Sequence, residues 1–191
     1  MLSDDIPGQK RHLRERLRFR RRHFVANLDG MAQLAAFRAL PAPLAEIVSA
    51  ASPVAAYVAS GDEPDILPML TGSTLALPYH GRRNETMEFR HWRPGEPLVK
   101  GPWGTRQPEE TAPSACPALI LCPLVGFDRR GGRLGQGGGH YDRFLAANPH
   151  IPRIGVAWSV QEVDAVPMQP TDATLDAVLT EQEYIVTGDR L

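Results

Sequence analysis

Apolar residues recur with helical spacing over residues 8–28, where Leu13, Leu17, Phe24 and Leu28 share one face. The rest of that stretch is crowded with Lys10, Arg11, Arg14, Arg16, Arg18, Arg20, Arg21 and Arg22, which predicts a basic amphipathic helix. The helical pattern continues over 31–51 with a break at Pro41-Ala42-Pro43, and Met31, Leu34, Phe37 and Leu40 are its expected core positions. After it the period shortens. Residues 54–58, 75–78 and 153–158 are brief apolar runs bounded by Pro or Gly, the form taken by strands buried on both faces of a parallel sheet. Residues 87–92 alternate apolar with polar, as a strand with one buried face does. Residues 94–108 are rich in Gly and Pro and read as a loop. A longer apolar run, 119–127, leads into glycine-rich chain and then a helical pattern from Tyr141. The pattern as a whole predicts one α/β domain over residues 1–191, a three-layer α/β/α sandwich with a central, mainly parallel sheet.

Composition narrows the partners. With 21 Lys plus Arg against 22 Asp plus Glu, the formal charge is −1, which argues against a general nucleic-acid binder. No apolar run approaches the roughly 20 residues of a membrane span, and the N-terminus lacks the apolar core of a signal peptide. A cytoplasmic monomer is expected, with no nucleic-acid or membrane partner. The two cysteines, Cys116 and Cys122, are too few for a disulfide framework and have no metal-ligand spacing with histidine.

The chemistry concentrates between residues 133 and 142, Arg-Leu-Gly-Gln-Gly-Gly-Gly-His-Tyr-Asp. Glycine permits positive φ and close backbone approach, and a loop feeding a helix N-terminus presents free N–H groups to an anion. Arg133 adds a fixed positive charge. The stretch reads as a phosphate cradle or, more simply, as a glycine-rich turn. It lacks the Gly-Lys-Ser/Thr of a Walker A loop, and His140 stands where a dinucleotide fingerprint has its third glycine.

Pro123-Leu124-Val125-Gly126-Phe127-Asp128, Gly131 to Arg133 and Leu134-Gly135-Gln136-Gly137-Gly138-Gly139-His140-Tyr141-Asp142-Arg143 together resemble the signature of the 5-formyltetrahydrofolate cyclo-ligase family. Similarity runs from Lys10-Arg11-His12-Leu13-Arg14, through Glu63-Pro64-Asp65 and 101–108, to the segment ending at Glu181. His140 replaces a usual aromatic, Ile66 a usual Thr, and Thr171 a usual His.

The resemblance implies ATP- and Mg2+-dependent conversion of 5-formyltetrahydrofolate to 5,10-methenyltetrahydrofolate, with ADP and phosphate released. It implies catalytic roles for Arg133, Gln136 and Asp142. It places ATP on Lys10, Arg11, His12, Leu13 and Arg14 and on Arg133, Leu134, Gly135, Gln136, Gly137, Gly138, Gly139, His140 and Tyr141. The reduced folate falls to Glu63, Trp103, Gln136, Gly137, Gly138, Gly139 and His140, and magnesium to Asp142 and Asp172. The basic residues beyond the helix's first turns are expected to be solvated. By residue type alone, Glu63 and Asp142 also suit helix starts, Asp172 a turn, and Trp103 a pin for its loop. Two other classes stay open: a non-catalytic folate or nucleotide binder, and an enzyme resembling sugar-phosphate isomerases or CoA transferases.

Overall fold

In the structure, a computed structural model describing residues 5–83 and 85–191, each buried strand sends alternate side chains into two separate cores. Val54, Leu75, Leu77, Leu119, Leu121, Ile154 and Val156 join one. Ala55, Ala76, Ile120, Cys122 and Val178 join the other. Continuous apolar runs are what a strand needs when helices cover both of its faces. The sheet is built from β1 (Val54–Ala55), β2 (Leu75–Tyr79), β3 (Glu88–Trp92), β6 (Ser114–Ala115), β7 (Leu119–Pro123), β10 (Arg153–Val156), β11 (Ala177–Leu179) and β12 (Tyr184–Val186). Their order is β12-β11-β10-β7-β1-β2-β3-β6. β11, β10, β7, β1 and β2 run parallel, and the antiparallel partners β12, β3 and β6 close the two edges. The expected mainly parallel sandwich is therefore the fold observed.

Helices α1 (Ile6–Asn27) and α3 (Ala42–Ala50) lie on the first core, with Phe24, Leu44 and Val48 packed against it. Helix α4 (His140–Ala147) covers the second through Tyr141, Phe144 and Leu145. Asp5 caps α1 by accepting from the Gly8 N–H, and Pro7 sits in its first turn, where no N–H is missed. Among the described residues no helix is long and apolar enough to cross a membrane.

Three local expectations change. The helix predicted over 31–51 is interrupted well before its prolines: α2 (Gly30–Ala35), capped by Asp29, is only six residues long. Phe37 then takes a left-handed φ of 54°. That turn swings its ring onto Trp158, edge-on at 5.1 Å, while Met31 and Leu34 are left exposed instead of entering the core. The loop at 94–108 contains a small hairpin, β4 (Val99–Lys100) with β5 (Arg106–Gln107), and Trp103 lies in its turn. The run 119–127 is two strands, β7 and then β8 (Gly126–Phe127), which pairs with β9 (Arg133–Leu134). The buried Asp128 carboxylate organises that second hairpin, accepting from the backbone N–H of Arg130, Gly132 and Val166. The glycine loop thus leaves a rigid two-strand platform.

Candidate active site

A cleft of about 1410 Å³ opens where β1, β2 and β7 end, walled by α1, the glycine loop and residues 169–172. Ligands favour this edge of an open α/β sheet. Gly135 to Gly139 form its floor. The carbonyl of Gly135 accepts from Arg14 Nε (2.8 Å), that of Gln136 from Arg18 Nη2 (3.2 Å) and that of Gly138 from Arg143 Nη2 (2.9 Å). The loop N–H groups, by contrast, donate to no acceptor among the described residues. Gly137 has φ 108° and Gly139, the residue before α4, has φ 64°, so the chain needs glycine at both to make this turn. A row of unpaired N–H groups ending on a helix N-terminus can hold an anion.

Cations stand around it. Lys10 is buried and pairs with Asp172. Arg133, its side chain only 2% exposed, pairs with Asp142 and has its Nε without a partner among the described residues. Asp142 Oδ1 also accepts from the Ala173 N–H (3.3 Å), and Asp172 Oδ2 from the Gln169 N–H (2.6 Å). Both carboxylates line the same cleft. Among the described residues no three His, Cys, Asp or Glu side chains gather as a metal cluster. A pair of carboxylates beside this loop is nonetheless a donor set that suits magnesium, which takes one or two carboxylates together with substrate phosphates.

The opposite wall carries Glu63. Its Oε2 accepts from the Ser60 N–H (3.1 Å) and its Oε1 from Gln136 Nε2 (3.1 Å). Burial pushes the Glu63 carboxyl up, opposed by the Ser60 hydrogen bond, the Arg21 charge and the Gln136 hydrogen bond. Gln136 in turn accepts from Arg18 Nε and Nη2 at 3.2 and 2.7 Å, linking α1, the loop and Glu63. No α-helix begins at Glu63, so its place is in the cleft wall and not at a helix start. Trp103, 47% exposed, lies with its ring 5.3 Å from that of His140, which also meets the His80 ring at 4.5 Å.

Most residues expected from sequence meet here: Lys10, Arg14, Glu63, Trp103, Arg133 to Asp142, and Asp172 all line the cleft. Three do not. Arg11 and His12 are exposed outside it, and Leu13 is packed with Leu17, Val125 and Leu134. Ile66 is fully buried in the first core, whereas Thr171 lines the cleft. The sequence reading missed Arg18, Arg21 and His80. For Arg21 the signal was present: positions 10, 14, 17 and 21 form one helical stripe, so Arg21 shares the inward face with Lys10 and Leu17.

His80 gives a test of this wall. Burial, with the neighbouring His140 and Arg143 charges, lowers its imidazole from 6.5 to about 4. A depressed folded value means that the ring's contribution to stability is complete above pH 6.5 and is lost as the pH falls toward 4. His80→Phe is expected to flatten the dependence of Tm on pH across that window, measured by thermal denaturation.

A family model described as the 5-formyltetrahydrofolate cyclo-ligase family matches residues 7–181. Among curated proteins, the 5-formyltetrahydrofolate cyclo-ligase of Mycolicibacterium smegmatis is 34% identical over 154 residues, covering 70% of this chain and 75% of that protein. That of Escherichia coli K12 is 31% identical over 162 residues, covering 78% and 87%. The NMR structure of Aquifex aeolicus 5,10-methenyltetrahydrofolate synthetase matches the fold with a TM-score of 0.71 at 24% identity, over 94% of this chain and 93% of that one.

Proposed function

The chain belongs to the 5-formyltetrahydrofolate cyclo-ligase family, and from that premise we propose that it uses ATP to close 5-formyltetrahydrofolate to 5,10-methenyltetrahydrofolate. The observation that carries this reading is the glycine loop's row of N–H groups, without acceptors among the described residues, which shares one cleft with Lys10, Arg14, Arg133 and Glu63.

The formyl group is amide-like: its carbon is a weak electrophile and its oxygen a poor leaving group. Transfer of the γ-phosphoryl group makes an O–P bond to the formyl oxygen and breaks the bond to ADP. The neighbouring folate nitrogen then attacks the formyl carbon and loses its proton, and phosphate departs with the formyl oxygen. The protein's task is to place the groups in line and to neutralise charge. No protein nucleophile is required, and Cys122, the cysteine nearest the loop, is buried with its thiol pushed up by burial.

The geometry supports the following roles. The loop N–H groups receive phosphate oxygens. Lys10, Arg14 and Arg133 balance the triphosphate, and Arg133 Nε, without a hydrogen-bond partner among the described residues, is a spare donor on that side. Gln136 spans the two substrates, since it touches Glu63 on one side and belongs to the phosphate loop on the other. Glu63 accepts N–H groups of the reduced pterin, and the exposed Trp103 face suits an aromatic part of the folate. Asp142 and Asp172 would hold magnesium, which when bound supplies neutralising charge at the phosphoryl oxygens.

The test is the appearance of methenyltetrahydrofolate absorbance when ATP, magnesium and 5-formyltetrahydrofolate are mixed with the enzyme, with one ADP per product expected. Binding of both substrates with no product would overturn the reading in favour of a non-catalytic binder. The charge assignment makes a separate forecast. Lys10→Ala should raise the KM for ATP more than that for the folate, whereas Arg20→Ala and Arg22→Ala, on the exposed side of α1, should change neither. A steady-state comparison of the three variants decides it, and equal behaviour would contradict it.

A further inference from the structure

Arg21 is the buried cation of the cleft that the mechanism above leaves without a task. It is 6% exposed and lies on α1 seven positions after Arg14. Its Nε donates to Asp62 Oδ2 at 3.0 Å, which anchors the guanidinium plane. Its Nη1 forms a loose ion pair with Glu63 Oε1 at 3.9 Å, beyond hydrogen-bond reach, and has no hydrogen-bond partner among the described residues although it is buried. A buried guanidinium N–H without an acceptor is costly. Glu63 is in the complementary condition. It accepts one N–H on each oxygen, and a carboxylate has about four lone-pair sites.

An acceptor with spare capacity and an unpaired donor therefore stand side by side on one wall. The ligand edge that fits them has two N–H donors followed by a carbonyl. The 2-amino-4-oxo pyrimidine ring of a reduced folate carries this order: the 2-amino group, the ring N3–H, then the 4-oxo oxygen. We propose that Arg21 is a specificity-determining residue whose Nη1 donates to the 4-oxo oxygen while Glu63 accepts from the amino group and N3–H. The inference rests on the folate reading and deepens it. Asp62 then holds the guanidinium plane in place, as a preorganised donor requires.

The test compares affinity for 5-formyltetrahydrofolate with affinity for its 4-amino counterpart, which presents N–H groups where the oxo oxygen was. Calorimetry on the wild type, Arg21→Met and Arg21→Lys supplies the numbers. Lysine keeps a positive charge for Asp62 but cannot serve Asp62 and the oxo oxygen with one fixed fork. Losing a charged hydrogen bond should weaken the 4-oxo ligand by about tenfold to a hundredfold. The 4-amino ligand should lose at least tenfold less, and the KM for ATP should not move. Parallel losses for both folates, or none, would overturn the assignment and leave Arg21 a purely structural partner of Asp62. In the wild-type complex the infrared stretch of a 13C-labelled 4-carbonyl should lie below its value in water, and an unshifted band overturns the assignment with no variant needed. A wild type that converts 5-formyltetrahydrofolate but shows that unshifted band refutes the Arg21 contact alone. A wild type that neither binds nor converts it refutes the folate reading itself.

Discussion

Asp142→Asn is expected to lower kcat by about 10²- to 10³-fold at saturating magnesium, the range for loss of one preorganised electrostatic contact. The carboxylate stands at the first turn of α4, pairs with Arg133 and accepts from the Ala173 N–H. Asparagine keeps the shape and removes the charge. If Asp142 and Asp172 hold magnesium as proposed, the ion would lose one of its two protein carboxylates. The substitution also leaves the Arg133 guanidinium, 2% exposed, without its ion-pair partner. Breaking a buried pair from one side costs on the order of 3 kcal/mol, and Asp142, 27% exposed, should cost less than that. Tm should therefore fall along with kcat. Kinetics over a magnesium titration, run beside a melting curve, separates the two effects. Unchanged kcat in both Asp142→Asn and Asp172→Asn would remove the metal assignment.

Gly138→Ala is expected to weaken ATP binding by about tenfold, equivalent to 1.4 kcal/mol, with little change in Tm. Unlike its neighbours Gly137 and Gly139, Gly138 does not have a left-handed φ, so alanine is not strained by the backbone. Its Cβ would come within 2.6 Å of the His140 ring, which is flanked by His80 and Trp103. The ring or the loop must shift, and either disturbs the floor of the cleft where the triphosphate is proposed to sit. Gly139→Ala makes the useful contrast. There φ is 64°, so alanine should lower Tm as well as affinity. Calorimetric ATP titration of each variant checks both, and native affinity in Gly138→Ala would remove the loop from the nucleotide site.

The parts of this molecule that sequence made legible are those governed by local pattern. Buried parallel strands announce themselves as short apolar runs because both faces are covered, and the glycine loop because only glycine makes its turns. What escaped depends on contacts between distant residues. Residues 31–51 have a helical period, yet the left-handed turn at Phe37, fixed by packing on Trp158, ends α2 early and exposes Met31 and Leu34. The arginines of α1 beyond its first turns read as one solvated face. Arg21 is instead held by Asp62, which comes from the loop after β1, and Arg18 by Gln136. A charge run shows its composition in sequence, but not which of its members meet carboxylates folded in from elsewhere. In the same way, Lys10 with Asp172 and Arg133 with Asp142 are pairs that only the fold reveals.

The central claim is that the formyl oxygen is made a leaving group by phosphorylation. It is tested most directly by following that oxygen. Substrate labelled with 18O in the formyl group, turned over with ATP and magnesium in ordinary water, should place the label in inorganic phosphate, one atom per methenyltetrahydrofolate formed, as read by mass spectrometry of the phosphate. Label found in water, with unlabelled phosphate, would contradict the account.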